Sequence, residues 1–191
     1  MPALDFFDLK GIVEALAEDL HLPGVTYRKS SATYLHPGRS AELVVGGKPV
    51  GTFGQLHPRY ADKLGLGSRL VLAGEFDLDA IFAALPPRYA YVPVPRFPAA
   101  LRDVAVIVDE GVTAERVAAE VRAAGGDLLR DVRLFDLYRG ESIPASKKSL
   151  AYALTYQAED RTLTDNEVDR AHRQIEDRLR QVLRAVIRGK E

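Results

Sequence analysis

Lys148-Ser149-Leu150-Ala151-Tyr152-Ala153-Leu154-Thr155-Tyr156-Gln157 is a strand written in alternating sizes. Side chains of a strand point to opposite faces in turn, so Tyr152, Leu154 and Tyr156 share one face while Ala151, Ala153 and Thr155 share the other. The face of large residues is suited to meet helices. The face of small residues is then left open, a floor low enough for a flat ligand to lie close.

Outward from this strand the pattern is regular. A loop over Arg139–Ser146, with Gly140 and Pro144, separates it from an earlier strand, Leu128–Tyr138. Before that, Gly125-Gly126 ends a helix over Thr113–Ala124, capped by Thr113 and facing inward with Val117 and Val121, and Arg102–Val108 is a further strand. On the other side, Thr164 with Glu167 three residues later forms a capping box that opens a long helix, Asp165–Leu183. Its inner face reads Val168, Ala171, Ile175, Leu179, Val182 and Leu183, and a short strand at Ala185–Arg188 closes the series. The order is β-α-β-β-α-β, which folds into a four-stranded antiparallel sheet with both helices on one side.

Upstream lies Pro86–Pro98, with five prolines in 13 residues. Such a stretch forms neither a helix nor a central strand, and predicts an extended spacer. It divides the chain into 1–85, a linker at 86–95, and 96–191. The first part reads as a helix over Asp5–Leu20, strands at Thr26–Arg28, Ala41–Val45, Pro49–Gln55 and Leu70–Asp77, and short helices at Pro58–Leu64 and Leu78–Leu85. Gly46-Gly47 predicts a tight hairpin. A helix opening at residue 5 with Phe6-Phe7 is expected to pack on earlier sequence.

The chain has 191 residues, 26 basic against 27 acidic, and no cysteine. The lack of cysteine excludes disulfides, thiol catalysis and Cys-ligated zinc. A net charge of −1 argues against a non-specific coat for long polyanions, so any nucleic-acid patch must be local. No apolar run approaches the roughly 20 residues of a membrane span, and the start lacks the pattern of a signal peptide, so a cytoplasmic, membrane-free protein is expected.

No residue cluster reads as a complete catalytic site. His36-Pro37 and His57-Pro58 have no further ligand at metal spacing, and read as turns fixed by proline with the imidazole capping a loop. His172, among Asp169, Arg173 and Glu176, is expected on a helix surface. The glycines match no phosphate loop. Cations and aromatics interleave more suggestively in the second part. Arg102, Arg130, Arg133, Arg139, Lys147 and Lys148 fall on strands or strand-ending loops beside Phe135, Tyr138, Tyr152 and Tyr156. Rings stack bases and guanidinium groups meet phosphates, which is the requirement for single-stranded RNA. Half of these aromatics must point inward as core.

Four stretches carry a resemblance to a known family: Arg96–Ala105, Val132–Gly140, Lys147–Tyr152 and Asp160–Val168. In this order they resemble the ferredoxin-fold anticodon-binding domain that ends the bacterial phenylalanyl-tRNA synthetase beta subunit. In the first part, Asp5–Gly11, His36-Pro37-Gly38-Arg39 and Gly54-Gln55-Leu56-His57-Pro58 resemble the catalytic-like module that precedes it there. The resemblance implies an α+β chain made of part of a class II synthetase-like antiparallel module followed by a ferredoxin-like βαββαβ domain. It implies tRNA(Phe) and an alpha subunit as partners in an (αβ)₂ assembly. It places ATP and Mg²⁺ with the full enzyme and no cofactor in this stretch. Matched by position, the RNA-facing residues are Arg102, Arg133, Arg139, Lys147 and Lys148, with Ser149 and Ala151 as close-approach sites. Asp103, Asp136 and Asp160–Thr164 are structural, Asp136 being a candidate tether for Arg139 or for a loop amide.

Two other readings stand beside it. A β-α-β-β-α-β domain also serves as an amino-acid sensor, although Asp109-Glu110-Gly111-Val112, the loop after the first strand, is acidic and ill suited to a carboxylate. A pure assembly domain would instead bury the open face against a partner.

Overall fold

The computed structural model describes residues 4–88, 91 and 93–188. Its contacts divide the chain into Met1–Val92 and Pro93–Glu191. The expected extended spacer falls partly outside the described residues, at Tyr89, Ala90 and Val92, as does the start of the chain at Met1, Pro2 and Ala3.

In the first unit, α1 spans Phe6–Asp19. Asp5 caps it and shares a capping box with Asp8, so the residues flanking the phenylalanine pair start the helix. Four strands follow as a meander, β1 (Val25–Lys29), β2 (Leu35–Val45), β3 (Lys48–Leu56) and β4 (Leu72–Phe76), in the order β1-β2-β3-β4. Gly46 and Gly47, with φ of 55° and 81°, make the hairpin between β2 and β3. Helix α2 (Pro58–Lys63) lies between β3 and β4, and α3 (Leu78–Ala84) follows β4. Phe6 and Phe76 both stack on Phe53, which is fully buried among Val13, Ala17, Leu43, Val45 and Ile81.

β2 begins six residues earlier than the pattern of large residues predicts. Between Leu35 and Ser40 the register with β3 shifts, so His36-Pro37-Gly38-Arg39 is an irregular excursion within the strand and not a free turn. Proline cannot donate to the ladder, which suits it to such a place. The chain rejoins β3 at Ser40, directly across from Gly54. A Cβ on Gly54 would sit 2.5 Å from the Arg39 carbonyl oxygen and 2.6 Å from Ser40 Cα, so only glycine permits this approach.

The second unit has the expected order. It comprises β5 (Ala100–Asp109), α4 (Ala114–Gly125), a 3₁₀ turn (Gly126–Leu128), β6 (Leu129–Tyr138), β7 (Lys147–Tyr156), α5 (Asp165–Leu183) and β8 (Val186–Arg188). The antiparallel sheet runs β6-β7-β5-β8. Val104, Val106 and Val108 of β5 and Leu150, Tyr152, Leu154 and Tyr156 of β7 form one buried face. Val117 and Val121 of α4 and Val168, Ile175 and Leu179 of α5 lie against them.

The capping box of Thr164 and Glu167 opens α5 as expected. Its far end differs from expectation, because Val182 is 42% exposed. Arg184 turns left-handed at φ 52° and sends the chain back to the buried Ala185, so the last turn of the helix overruns the core. His172 also differs. Its ring is not solvated but hydrogen-bonds the Tyr156 hydroxyl through Nδ1 at 3.2 Å, with Nε2 3.5 Å from Glu176.

Candidate nucleic-acid interface

Directly paired residues of neighbouring strands share a face, so the register gives the map of the open side. One row runs Asp136, Ala151, Ala105, Arg188 across all four strands. The next runs Tyr138, Ser149, Ile107, Val186. On the other side of the first row lie Arg133, Ala153 and Asp103. The centre of this face is therefore a floor of Ala105, Ala151 and Ala153, bounded by two aspartates, a tyrosine and two arginines. Adjacent strands lie about 4.8 Å apart, so the span from Asp136 to Arg188 is about 14 Å, wide enough for a nucleobase on the floor.

Four of the seven residues assigned by resemblance share this face: Arg133, Lys147, Ser149 and Ala151. Arg133 is exposed and, among the described residues, has no carboxylate or hydrogen-bond partner. Lys147 pairs with Asp109 at 3.0 Å. Ser149 is 5% exposed, enclosed between Tyr138 and Ile107 in its row.

Two of the seven lie on the helix side instead. Arg102 points to the same face as the buried Val104 and Val106, and its guanidinium reaches Asp165 at 3.1 Å and Asp169 at 3.4 Å, binding β5 to the first turns of α5. Lys148 is 8% exposed and donates to the Glu110 carbonyl at 2.8 Å. Both follow from the two-residue alternation, which sets them on the same side as Val104 and Tyr152. Arg139, one residue past β6, does not use Asp136. It donates through Nε and Nη2 to one Glu110 oxygen at 3.1 and 2.5 Å, and this pair holds the Glu110 carboxyl below the usual carboxylate range.

The aromatics divide as well. Tyr152 and Tyr156 are core, and burial pushes both phenols well above their ordinary pKa. Tyr138, 41% exposed, belongs to the open face. Phe135, 54% exposed, occupies a bulge between Leu134 and Asp136. Tyr138, Asp136 and Arg188 carry the character of the face, yet in the sequence Tyr138 stands out only as one of four aromatics, Asp136 only as a structural residue and Arg188 not at all. Only the register of the folded sheet collects them.

In the first unit, His36 and His57 act through Nδ1 as acceptors. His36 takes the Gly38 N–H at 3.1 Å and His57 caps α2 by taking the Arg59 N–H at 3.2 Å. Among the described residues no group of three or more His, Cys, Asp or Glu is placed to hold a metal ion, and no helix is long and apolar enough to cross a membrane.

A β-α-β-β-α-β order folded into one four-stranded antiparallel sheet, with both helices on one side, defines the ferredoxin-like class of fold. Residues 95–188 match the ferredoxin-fold anticodon binding domain, and residues 2–78 match the phenylalanyl tRNA synthetase beta chain CLM domain. The chain belongs to the phenylalanyl-tRNA synthetase beta-chain family. It is 49% identical over 176 residues to the phenylalanine–tRNA ligase beta subunit of Symbiobacterium thermophilum, covering 92% of this chain and 20% of that protein. It is 43% identical over 188 residues to the subunit of Halalkalibacterium halodurans, covering 98% and 23%. To the subunit of Moorella thermoacetica it is 44% identical over 188 residues, covering 97% and 23%. The chain thus spans about a fifth of the length of the curated relatives it matches.

Proposed function

We propose that this chain is the tRNA-binding C-terminal part of the beta subunit of a phenylalanine–tRNA ligase, the ATP-dependent enzyme that attaches phenylalanine to tRNA(Phe). In this reading the 96–191 domain meets the anticodon region. The 1–85 module is a non-catalytic copy of a synthetase core that joins the alpha subunit in an (αβ)₂ assembly in the cytoplasm. ATP and Mg²⁺ belong to the alpha subunit. Among the described residues no cluster of carboxylates is suited to the metal, and no chemical step is assigned to them. The apolar residues that α1 and α3 leave exposed, Phe7, Ile12, Leu78 and Phe82, support a protein-joining role for the first module.

The observation that carries the RNA reading is the row Asp136–Ala151–Ala105–Arg188 beside Tyr138 and Arg133. The alanines let a base lie flat, Tyr138 supplies a stacking ring, and Asp136 and Arg188 offer an acceptor and a donor to base edges. Arg133 remains for phosphate. Positive and negative side chains alternate on this face, so binding is selective and local, with a shallow dependence on salt. Arg102 and Lys148, tied to the helix side, support the sheet without touching RNA.

A salt titration of tRNA(Phe) binding tests this. Replacing Arg133 by Ala lowers the slope of log K against log salt by about 0.7–0.9, the release expected for one phosphate contact. Equal slopes for the variant and the parent chain would remove Arg133 from the interface. No binding by either would remove the RNA reading altogether.

A further inference from the structure

Asp109 ends β5 and Glu110 follows it, at the same end of the sheet where β6 runs out and β7 begins. Four hydrogen bonds fasten this loop to its neighbours. The Glu110 N–H donates to the Ser146 carbonyl at 2.9 Å, Lys148 donates to the Glu110 carbonyl at 2.8 Å, and Arg139 donates twice to the Glu110 carboxylate. Lys147 is held in the same manner by Asp109. The two bonds at the Glu110 backbone hold this loop in place whatever the side chain does. That carboxylate gathers Arg139 and faces the charge of Lys148 as well. Arg139 follows Tyr138 of the open face by one residue, and its exposed side chain lies at the rim where a phosphate could compete with the carboxylate for it.

We infer that Glu110 is an internal competitor for the phosphate backbone: its carboxylate occupies Arg139 until RNA displaces it, and so sets the affinity and salt dependence of this rim. The inference rests on the RNA reading of the open face. The exchange is cheap, because the side chains of Arg139 and Glu110 are 54% and 46% exposed, and pairs of that exposure contribute little to stability. It also leaves a distinct mark. When Arg139 passes from Glu110 to a phosphate, RNA releases a counterion, but the freed carboxylate gathers a cation of its own. The pair therefore adds almost nothing to the net ion release. Arg133, with no such acid, adds a full contact.

The test compares the 191-residue chain with its Glu110→Gln and Glu110→Gln/Arg139→Gln variants in tRNA(Phe) binding across a salt series, with Arg133→Ala alongside. Glutamine leaves both backbone bonds of residue 110 in place, and thermal melts check that each variant is folded. Glu110→Gln is expected to raise affinity roughly threefold, the scale of one exposed ion pair. It is expected to steepen the salt slope by about 0.7–0.9. The double variant returns the slope to that of the parent chain. If Glu110→Gln leaves the slope unchanged while Arg133→Ala still lowers it, the competitor role is wrong and the RNA reading stands. If no chain binds and Arg133 has no effect, both fail together.

Discussion

Tyr138 and Gly140 compete for one space: a Cβ on Gly140 would lie within 2.5 Å of the Tyr138 ring carbon that carries the hydroxyl. Glycine at 140 thus lets the ring settle beside the alanine floor. Gly140→Ala is expected to push the phenol aside with little change in melting temperature, because the ring is exposed and free to turn. Affinity for tRNA(Phe) should fall with it, and Tyr138→Ala should cost about 1–3 kcal/mol of binding, the scale of one stacked base. Binding that is indifferent to both variants would remove Tyr138 from the interface.

The floor itself gives a sharper separation of binding from stability. Ala151 faces away from the core, between Asp136 and Ala105. Valine at this position suits a strand and requires no space inside, so Ala151→Val should melt at or above the temperature of the parent chain. The added methyl groups would lift any base off the sheet, and RNA affinity should drop about tenfold if one stacking contact is lost. Calorimetric titration beside a thermal melt distinguishes this from an assembly role, in which binding of tRNA would not respond.

Much of this face was legible before the fold was known, and the remainder was not, for a definite reason. The size alternation from Ala151 to Tyr156 separates core from floor, and the Thr164–Glu167 box marks the start of α5, because both depend on residues close in sequence. The same alternation would have set Lys148 on the helix side with Tyr152. Grouping cations by strand hides that parity. β6 could not have been read this way at all. Its bulge at Phe135 inserts one residue, so Arg133 and Asp136, three apart, come to the same face. Likewise Arg139 meets Glu110 across 29 residues, a pairing made by the sheet topology and invisible to local spacing.

Between the helices, Glu120 is a different kind of ion pair. Its side chain is 8% exposed, with Arg178 donating at 2.7 and 2.8 Å to one oxygen and Arg116 at 2.8 Å from the other. Removing the carboxylate frees two arginines whose side chains are 46% and 59% exposed and can turn to water. Glu120→Ala should therefore cost about 2 kcal/mol, below the usual penalty for breaking a buried pair. Arg178→Ala should cost at least as much, since it strands a buried carboxylate with only Arg116. Urea denaturation of the two variants checks the order, and an Arg178→Ala chain as stable as the parent would contradict it.

Acid should loosen the start of α5. Glu167 accepts from the Thr164 N–H and hydroxyl, both at 2.9 Å, and from Arg161 at 2.6 Å. These bonds, the backbone one foremost, lower its pKa from 4.5 to about 2. A carboxylate that is more acidic when folded stabilises the fold fully above its unfolded value, and that contribution fades as pH falls from about 4.5 to about 2. The melting temperatures of the parent chain and Glu167→Gln should differ most above pH 5 and converge below that range. Glutamine can still accept from Thr164 but carries no charge for Arg161 or for the helix N-terminus, so the difference isolates the ionised form. A gap between the two that stays constant from pH 6 to pH 2 would show that the charge of Glu167 contributes nothing to the cap.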